Sequence, residues 1–109
     1  MAQDSLGKIV CVTPGVPVRA TVNRPDPATP FYVHAYSIQR ISANKGSSYI
    51  SLSPTDDRAT LEKILGILSS TEPAFSAGIV TEMNGMDMSK VYIDHDNADD
   101  AVIISYLLA

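Results

Sequence analysis

The apolar residues of this chain come in short runs that glycine, proline and asparagine interrupt repeatedly. In residues 16–22 the apolar side chains fall on every second position, which is the pattern of a strand with one buried face. Pro17 has no N–H for a ladder hydrogen bond, so we expect this strand at a sheet edge. Runs of this length and pattern predict an all-β fold.

Further strands are predicted at residues 7–13, 31–40, 48–52, 78–83, 88–95 and 101–108. The dipeptide Asn84-Gly85 favours a hairpin turn, and residues 43–46 favour another turn. The last run is apolar almost throughout, so we predict a central strand covered on both faces. Seven to nine short strands without alternating helices favour an antiparallel two-sheet sandwich.

Two segments depart from the strand pattern. Apolar residues recur at helical spacing from Leu61 to Leu68, so we predict one short helical segment over residues 58–68, with Asp57 as its cap. Residues 23–30 contain three prolines, and such a stretch favours an extended crossover between the two sheets. We expect residues 73–77 to form a loop.

Length and charge limit the possible partners. The 109 residues predict one domain, 1–109, in which residues 1–6 form a flexible or partner-contacting tail. The net charge is −4, and the basic residues are scattered, which disfavours nucleic acid as a partner. No run approaches the roughly 20 apolar residues that cross a bilayer, and residues 1–8 lack a secretory signal, so we expect a soluble protein made in a cytoplasm.

The sequence carries no signature of catalysis or of a cofactor. Its three His and Cys residues, Cys11, His34 and His95, lie too far apart in sequence for a familiar zinc pattern. The acidic turn 94–100 lacks the spacing of a calcium loop, although cation binding there stays open. No nucleophile elbow and no glycine-rich phosphate loop occurs. We therefore expect a protein that is not an enzyme and holds no metal or cofactor.

In their order along the chain, several segments resemble the small β-sandwich structural proteins of tailed bacteriophages, including capsid decoration proteins. The segments that carry the resemblance are residues 9–18, 31–38, 43–46, 49–52, 88–94 and 102–106. The resemblance implies a jelly-roll-like fold and a homo-oligomer, a dimer or trimer, that binds the major capsid protein on the virion surface. Another virion part, such as a head fibre or tail component, and a carbohydrate-binding module remain as alternatives.

Under this hypothesis the contact residues lie in two places. The proline-rich segment offers Arg24, Pro25, Pro27 and Pro30, because stiff loops lose little entropy on docking. Tyr32 and Tyr36 lie four positions apart on the next strand, and alternation predicts that they share one face. The alternative is that the segment is only a crossover and that the tyrosines belong to the core.

Overall fold

The structure of the chain, a computed structural model, describes residues 3–77 and 86–108. The strands in these ranges are β1 (Gln3–Val10), β2 (Val18–Arg19), β3 (Tyr32–Arg40), β4 (Ser48–Ser51), β5 (Ile64–Leu68), β6 (Ala74–Ala77), β7 (Met86–Asp87), β8 (Tyr92–His95) and β9 (Ala101–Leu108). One 3-10 turn, Met88–Lys90, precedes β8. No helix in the described part of the chain has the length and apolar character that crossing a membrane requires.

The strands form two antiparallel sheets. The large sheet has the order β1-β9-β3, with β6 and β7 both paired to the far edge of β3. The small sheet has the order β2-β8-β4-β5. If β6 and β7 are taken as one interrupted edge strand, this is the strand order of an eight-stranded jelly roll. The predicted antiparallel, jelly-roll-like sandwich is therefore confirmed.

The two sheets pack through a layer of aliphatic side chains. The large sheet contributes Ile9, Ile38 and Ile104, and the small sheet contributes Ile50 and Ile93, all fully buried. Each such side chain stabilises the fold by about 1.5–3 kcal/mol relative to exposure. Because both sheets contribute side chains to this layer, neither sheet has a complete core without the other.

A β-bulge in β1 lets the residues on both sides of it contribute to this layer. In β1 the register against β9 shifts between Ser5 and Gly7, and Gly7 has φ +82°, which only glycine adopts readily. The shift lets Leu6 and Ile9, three positions apart, both face the core. In a regular strand those two side chains would point to opposite faces.

The predicted helix at 58–68 is wrong, because residues 64–68 form β5 and pair with β4. Leu61 adopts φ 57°, a conformation that no right-handed helix contains. The loop before β5 is closed instead by Asp57, whose carboxylate accepts hydrogen bonds from Lys63 N (2.7 Å) and from the Thr60 hydroxyl. Pairing with a neighbouring strand thus overrides the local helical spacing.

The structure confirms the predicted crossover and edge strand, and it differs from the predictions for β6, for the start of β1 and for β9. The segment after β2 crosses from the small sheet to the large one, and β2 lies at a sheet edge, as expected. Residues 74–77 form β6 rather than a loop, and residues 3–6 belong to β1 rather than to a tail. β9 is central, but it is covered on one face only, because Ile103 is 43% exposed. The strand predicted at 78–83 and the turn at Asn84-Gly85 lie outside the described residues.

At one end of the sandwich the β3–β4 turn packs tightly on the β8–β9 turn. The Asp100 carboxylate accepts hydrogen bonds from the backbone N–H groups of Lys45 and Gly46, both at 2.9 Å. A Cβ added at Gly46 would overlap Asn97 Nδ2 and would lie 3.2 Å from Asp96 Cβ. A methyl group at position 46 would therefore have to displace the Asn97 amide and would press on Asp96 Cβ.

We expect Gly46→Ala to lower the free energy of unfolding by about 1–3 kcal/mol, because the added methyl group forces the two turns apart. Urea denaturation followed by circular dichroism measures this loss. The double variant Gly46→Ala/Asn97→Ala is the control, since removing the Asn97 amide should restore most of the stability. Equal stability of Gly46→Ala and the unmodified protein would contradict the contact.

Candidate interaction surface

His95 and Ser48 form the side-chain pair that most resembles catalytic machinery. They face each other on β8 and β4, with 2.7 Å between His95 Nδ1 and Ser48 Oγ. Ser48 is fully buried and His95 is 1% exposed, so neither group can reach a substrate in this conformation. We interpret the pair as a hydrogen bond inside the sandwich.

The electrostatics of His95 fit that interpretation. Burial lowers the pKa of the imidazole, and the nearby Asp100, Asp94 and Asp96 oppose the shift without reversing it. Its Nε2 atom has no hydrogen-bond partner among the described residues. The folded protein therefore holds His95 in the neutral form at neutral pH.

The carboxylates of Asp94, Asp96 and Asp100 in the acidic turn 94–100 contact protein groups, although Asp94 Oδ2 has no hydrogen-bond partner among the described residues. Asp94 Oδ1 accepts hydrogen bonds from Gly15 N (3.0 Å) and His95 N (2.8 Å). Asp94 Oδ2 lies 3.6 Å from Arg58 Nε, and Arg58 also contacts Asp56 and Asp96. These acids raise the pKa of the Arg58 guanidinium, Asp56 through its hydrogen bond above all. Within the described ranges, no group of His, Cys, Asp and Glu is arranged to hold a metal ion.

The crossover between β2 and β3 folds onto one corner of the sandwich. The Thr21 hydroxyl donates to the Pro27 carbonyl at 2.7 Å, and Arg24 N donates to Thr21 O at 2.9 Å. A further turn joins Thr29 N to Asp26 O at 3.2 Å. The segment is therefore a series of hydrogen-bonded turns, and the extended polyproline geometry predicted for it is wrong.

Arg24 lies at the centre of this corner. Its guanidinium carbon is 4.1 Å from the centre of the Phe31 ring, a cation–π contact. The Phe31 ring meets Tyr106 of β9 edge to face, with centroids 5.0 Å apart. Arg24 Nη1 is buried and has no hydrogen-bond acceptor among the described residues. Nη1 carries two of the five N–H donors of the guanidinium, so this stack leaves both of them without an acceptor among the described residues.

Asp87 holds the stack in place. Its Oδ1 atom accepts a hydrogen bond from Phe31 N at 3.0 Å, and Met88 N donates to Phe31 O at 2.8 Å. The same carboxylate oxygen caps the 3-10 turn through Ser89 N and Ser89 Oγ. Burial tends to raise the pKa of Asp87, but the hydrogen bonds from Phe31 and Ser89 outweigh it and lower the pKa. Phe31 is thus fixed by its backbone as well as by its ring.

The predicted contact residues divide into an exposed group and a buried one. Arg24 is half-buried, Pro25 and Pro30 are exposed, and Tyr32 is 43% exposed. Pro27 is half-buried, and its carbonyl is occupied by Thr21. We use the name corner surface for the half-buried Arg24, the exposed residues Pro25, Pro30 and Tyr32, the Phe31 ring beneath Arg24, and the Tyr106 ring that meets Phe31.

Tyr36 is not part of this surface, and the prediction that it shares an exposed face with Tyr32 is wrong. Tyr36 is 6% exposed and belongs to the core cluster, where burial raises the pKa of its hydroxyl. The register of β3 against β9 shifts between Val33 and Ala35. This bulge places Tyr36 on the core side, although an unbroken alternation would keep it with Tyr32.

Sequence analysis missed Phe31 and Tyr106 as members of the site. The sequence predicts Phe31 as the first residue of a strand and Tyr106 as part of a central strand. The prolines between Arg24 and Phe31 indicate a bent segment, but they do not show which ring lies under the guanidinium. Tyr106 approaches only because β9 pairs with β3, a contact between distant parts of the chain.

Acidification should destabilise the protein through His95. The unfolded chain takes up a proton near the ordinary His pKa of 6.5, whereas the folded chain resists it. The stabilising contribution is therefore complete above pH 6.5 and decreases as the pH falls from 6.5 towards the lowered folded pKa, by at most about 1.4 kcal/mol per pH unit.

Denaturant unfolding at several pH values between about 7.5 and 5 measures this slope. His95→Gln keeps a partner for Ser48 but does not titrate, so its slope should be flatter. Asp56, Asp57 and Asp87 have lowered pKa values and lose their contribution only below their ordinary pKa of 3.8, outside this range. Equal slopes in the two proteins would contradict the assignment to His95.

Comparison with known proteins identifies no relative of this chain. The chain matches no protein-family model, no curated protein and no solved structure. The function must therefore be argued from the corner surface and from the sandwich that presents it.

Proposed function

We propose that this chain is a non-enzymatic structural protein of a tailed-bacteriophage virion. In this role it is a capsid decoration protein that binds on the capsid surface across neighbouring subunits of the major capsid protein. The observation that carries the proposal is the corner surface, where Arg24 stacks on Phe31 and its Nη1 has no acceptor among the described residues. A carboxylate or carbonyl group of a partner would supply the missing acceptor.

The composition of the corner surface supports a protein partner. Arginine and aromatic residues are enriched in the parts of interfaces that contribute most to affinity. Arg24 Nη1 is itself buried, so the guanidinium must turn by a change of rotamer to meet a partner, a change that is common at interfaces. The backbone of the underlying Phe31 is held by hydrogen bonds to Asp87 and Met88.

The crossover already has a defined conformation, which also supports docking without a large entropy cost. Its turns are closed by the Thr21–Pro27, Arg24–Thr21 and Thr29–Asp26 hydrogen bonds before any partner arrives. Affinity is lost when loops must become ordered on binding, and this segment is already ordered. A protein that binds only the assembled shell then stabilises that shell by mass action.

Self-association is the second part of the proposal. Val12 and Val16, in the segment between β1 and β2, are 80% and 58% exposed. This segment is at the end of the sandwich that holds the acidic turn, because Cys11 N donates to Asp100 O at 2.8 Å. Contacts between copies through these valines would leave the corner surface free for the capsid, in a dimer or a trimer.

The decisive experiment combines analytical ultracentrifugation with co-sedimentation on expanded capsids that lack decoration protein. We expect an oligomer that binds these capsids, and we expect Arg24→Ala and Tyr32→Ala each to weaken binding by at least about 30-fold, the size of an interface hot spot. Attachment should also weaken at higher salt, because Arg24 meets an acceptor there.

Arg19→Ala is the matched control for Arg24→Ala. Arg19 also lies over an aromatic ring, that of Tyr92 at 5.4 Å, but it belongs to β2 of the small sheet. Capsid binding should survive this change. A strictly monomeric protein that ignores capsids and binds glycans would overturn the proposal in favour of a carbohydrate-binding module. Binding to purified tails or head fibres instead would place it in another virion part.

A further inference from the structure

The free edge of β1 is the longest sheet edge in the described part of the chain. β1 has eight residues, and β9 is the strand paired with it there. In an antiparallel strand, backbone groups point alternately to one neighbour and to the other. Cys11 N donates to Asp100 O and Cys11 O accepts from Asp99 N, so Cys11 faces the β9 side. The backbone groups of Val10 and Lys8 therefore face the free edge.

Asn23 covers the middle of this edge. Its Nδ2 atom donates hydrogen bonds to Leu6 O and to Lys8 O, each at 3.1 Å. A neighbouring strand would satisfy these carbonyls through its own backbone N–H groups. The Asn23 amide thus replaces a neighbouring strand as the hydrogen-bond donor to Leu6 and Lys8, the residues on either side of Gly7.

Gly7 makes this approach possible. It has φ +82°, and a Cβ added there would lie 3.2 Å from Asn23 Nδ2. The bulge at this position turns both carbonyls towards the crossover. Asn23 itself is exposed, and among the described residues its amide donates only to these two carbonyls of β1.

We propose that the free edge of β1 is an interaction surface for strand addition, that its partner is the same edge of a second copy, and that Asn23 keeps it closed. Two copies related by a two-fold axis would pair their β1 strands antiparallel and satisfy each other's N–H and C=O groups. The two large sheets would then become one continuous sheet. This inference does not depend on the virion proposal, because it concerns the chain alone.

A second copy is the partner that the chemistry of this edge selects. An unpaired strand edge recognises another edge through backbone groups and demands no particular side chain. In a solution of one protein, the edge of the same length and geometry is that of β1 itself. β2, the edge of the small sheet on the same chain, has only two residues and offers too few backbone groups.

The test compares Asn23→Ala and Asn23→Asp with the unmodified protein by sedimentation equilibrium. Alanine removes the donor, and aspartate replaces it with a group that only accepts hydrogen bonds. In both variants the two hydrogen bonds from Asn23 no longer compete with a partner strand. We therefore expect the association constant for pairing of two β1 edges to be about 30-fold higher than in the unmodified protein. Unchanged association in both variants would overturn the proposal.

Amide hydrogen exchange gives a second measurement that a loss of stability cannot imitate. The Val10 N–H should exchange rapidly in the unmodified protein. In Asn23→Ala its exchange should slow as the protein concentration rises, because the partner strand covers it. Exchange that becomes faster, or that does not depend on concentration, would overturn the proposal.

Two further variants separate edge pairing from general unfolding. Val10→Pro removes a free-edge N–H without removing a bond to β9, so Asn23→Ala/Val10→Pro should lose the added association. Association that persists in the double variant would show that the edge is not responsible. Thr29→Ala is the matched control, since Thr29 lies in the same crossover and its described hydrogen bond uses only the backbone N–H. Its association should equal that of the unmodified protein.

Discussion

The aliphatic layer between the two sheets is the interaction on which the rest of the structure depends. Ile38 and Ile104 of the large sheet face Ile50 and Ile93 of the small sheet, and all four are fully buried. This layer requires one face of each strand to be apolar, and it leaves the other face and the connecting loops to meet solvent or partners. The bulges maintain this layer. Where the apolar residues of a strand do not fall on every second position, an extra residue in a bulge lets them all face inward.

The sandwich was predictable because alternation is a local property. Short apolar runs between turn residues can be read within a single window of the sequence, so residues 31–40 and 48–52 predicted β3 and β4 nearly to their ends. The helix predicted at 58–68 failed for a different reason. Ile64 and Leu68 satisfy a helical spacing and a strand alternation equally well, and the choice was made by β4, which pairs Ser48 with Leu68. No sequence window contains that partner.

The candidate site was predictable only in part. The proline-rich segment indicated a surface loop, and Arg24, Pro25, Pro30 and Tyr32 indeed keep exposed atoms there. The predicted side of the sheet was wrong for Tyr36, because a bulge reverses the side to which every later side chain in the strand points. Such a bulge leaves no clear mark in the sequence. The rings beneath Arg24 were missed because the stack is assembled from the crossover, β3 and β9, which meet only in the folded chain.

Side chains take the place of missing backbone partners at several positions in this fold. Asn44 donates to Ala101 O (2.7 Å) and accepts from Ala101 N (2.9 Å), as a paired strand would. Asp100 accepts from two backbone N–H groups of the β3–β4 turn, and Asn23 donates to two carbonyls of β1. A small sandwich has many strand ends for its size, and each unmet backbone group would invite pairing with another chain. These internal partners satisfy backbone groups of β1, of β9 and of the β3–β4 turn, whereas Arg24 Nη1 lacks an acceptor among the described residues although its guanidinium lies over the Phe31 ring.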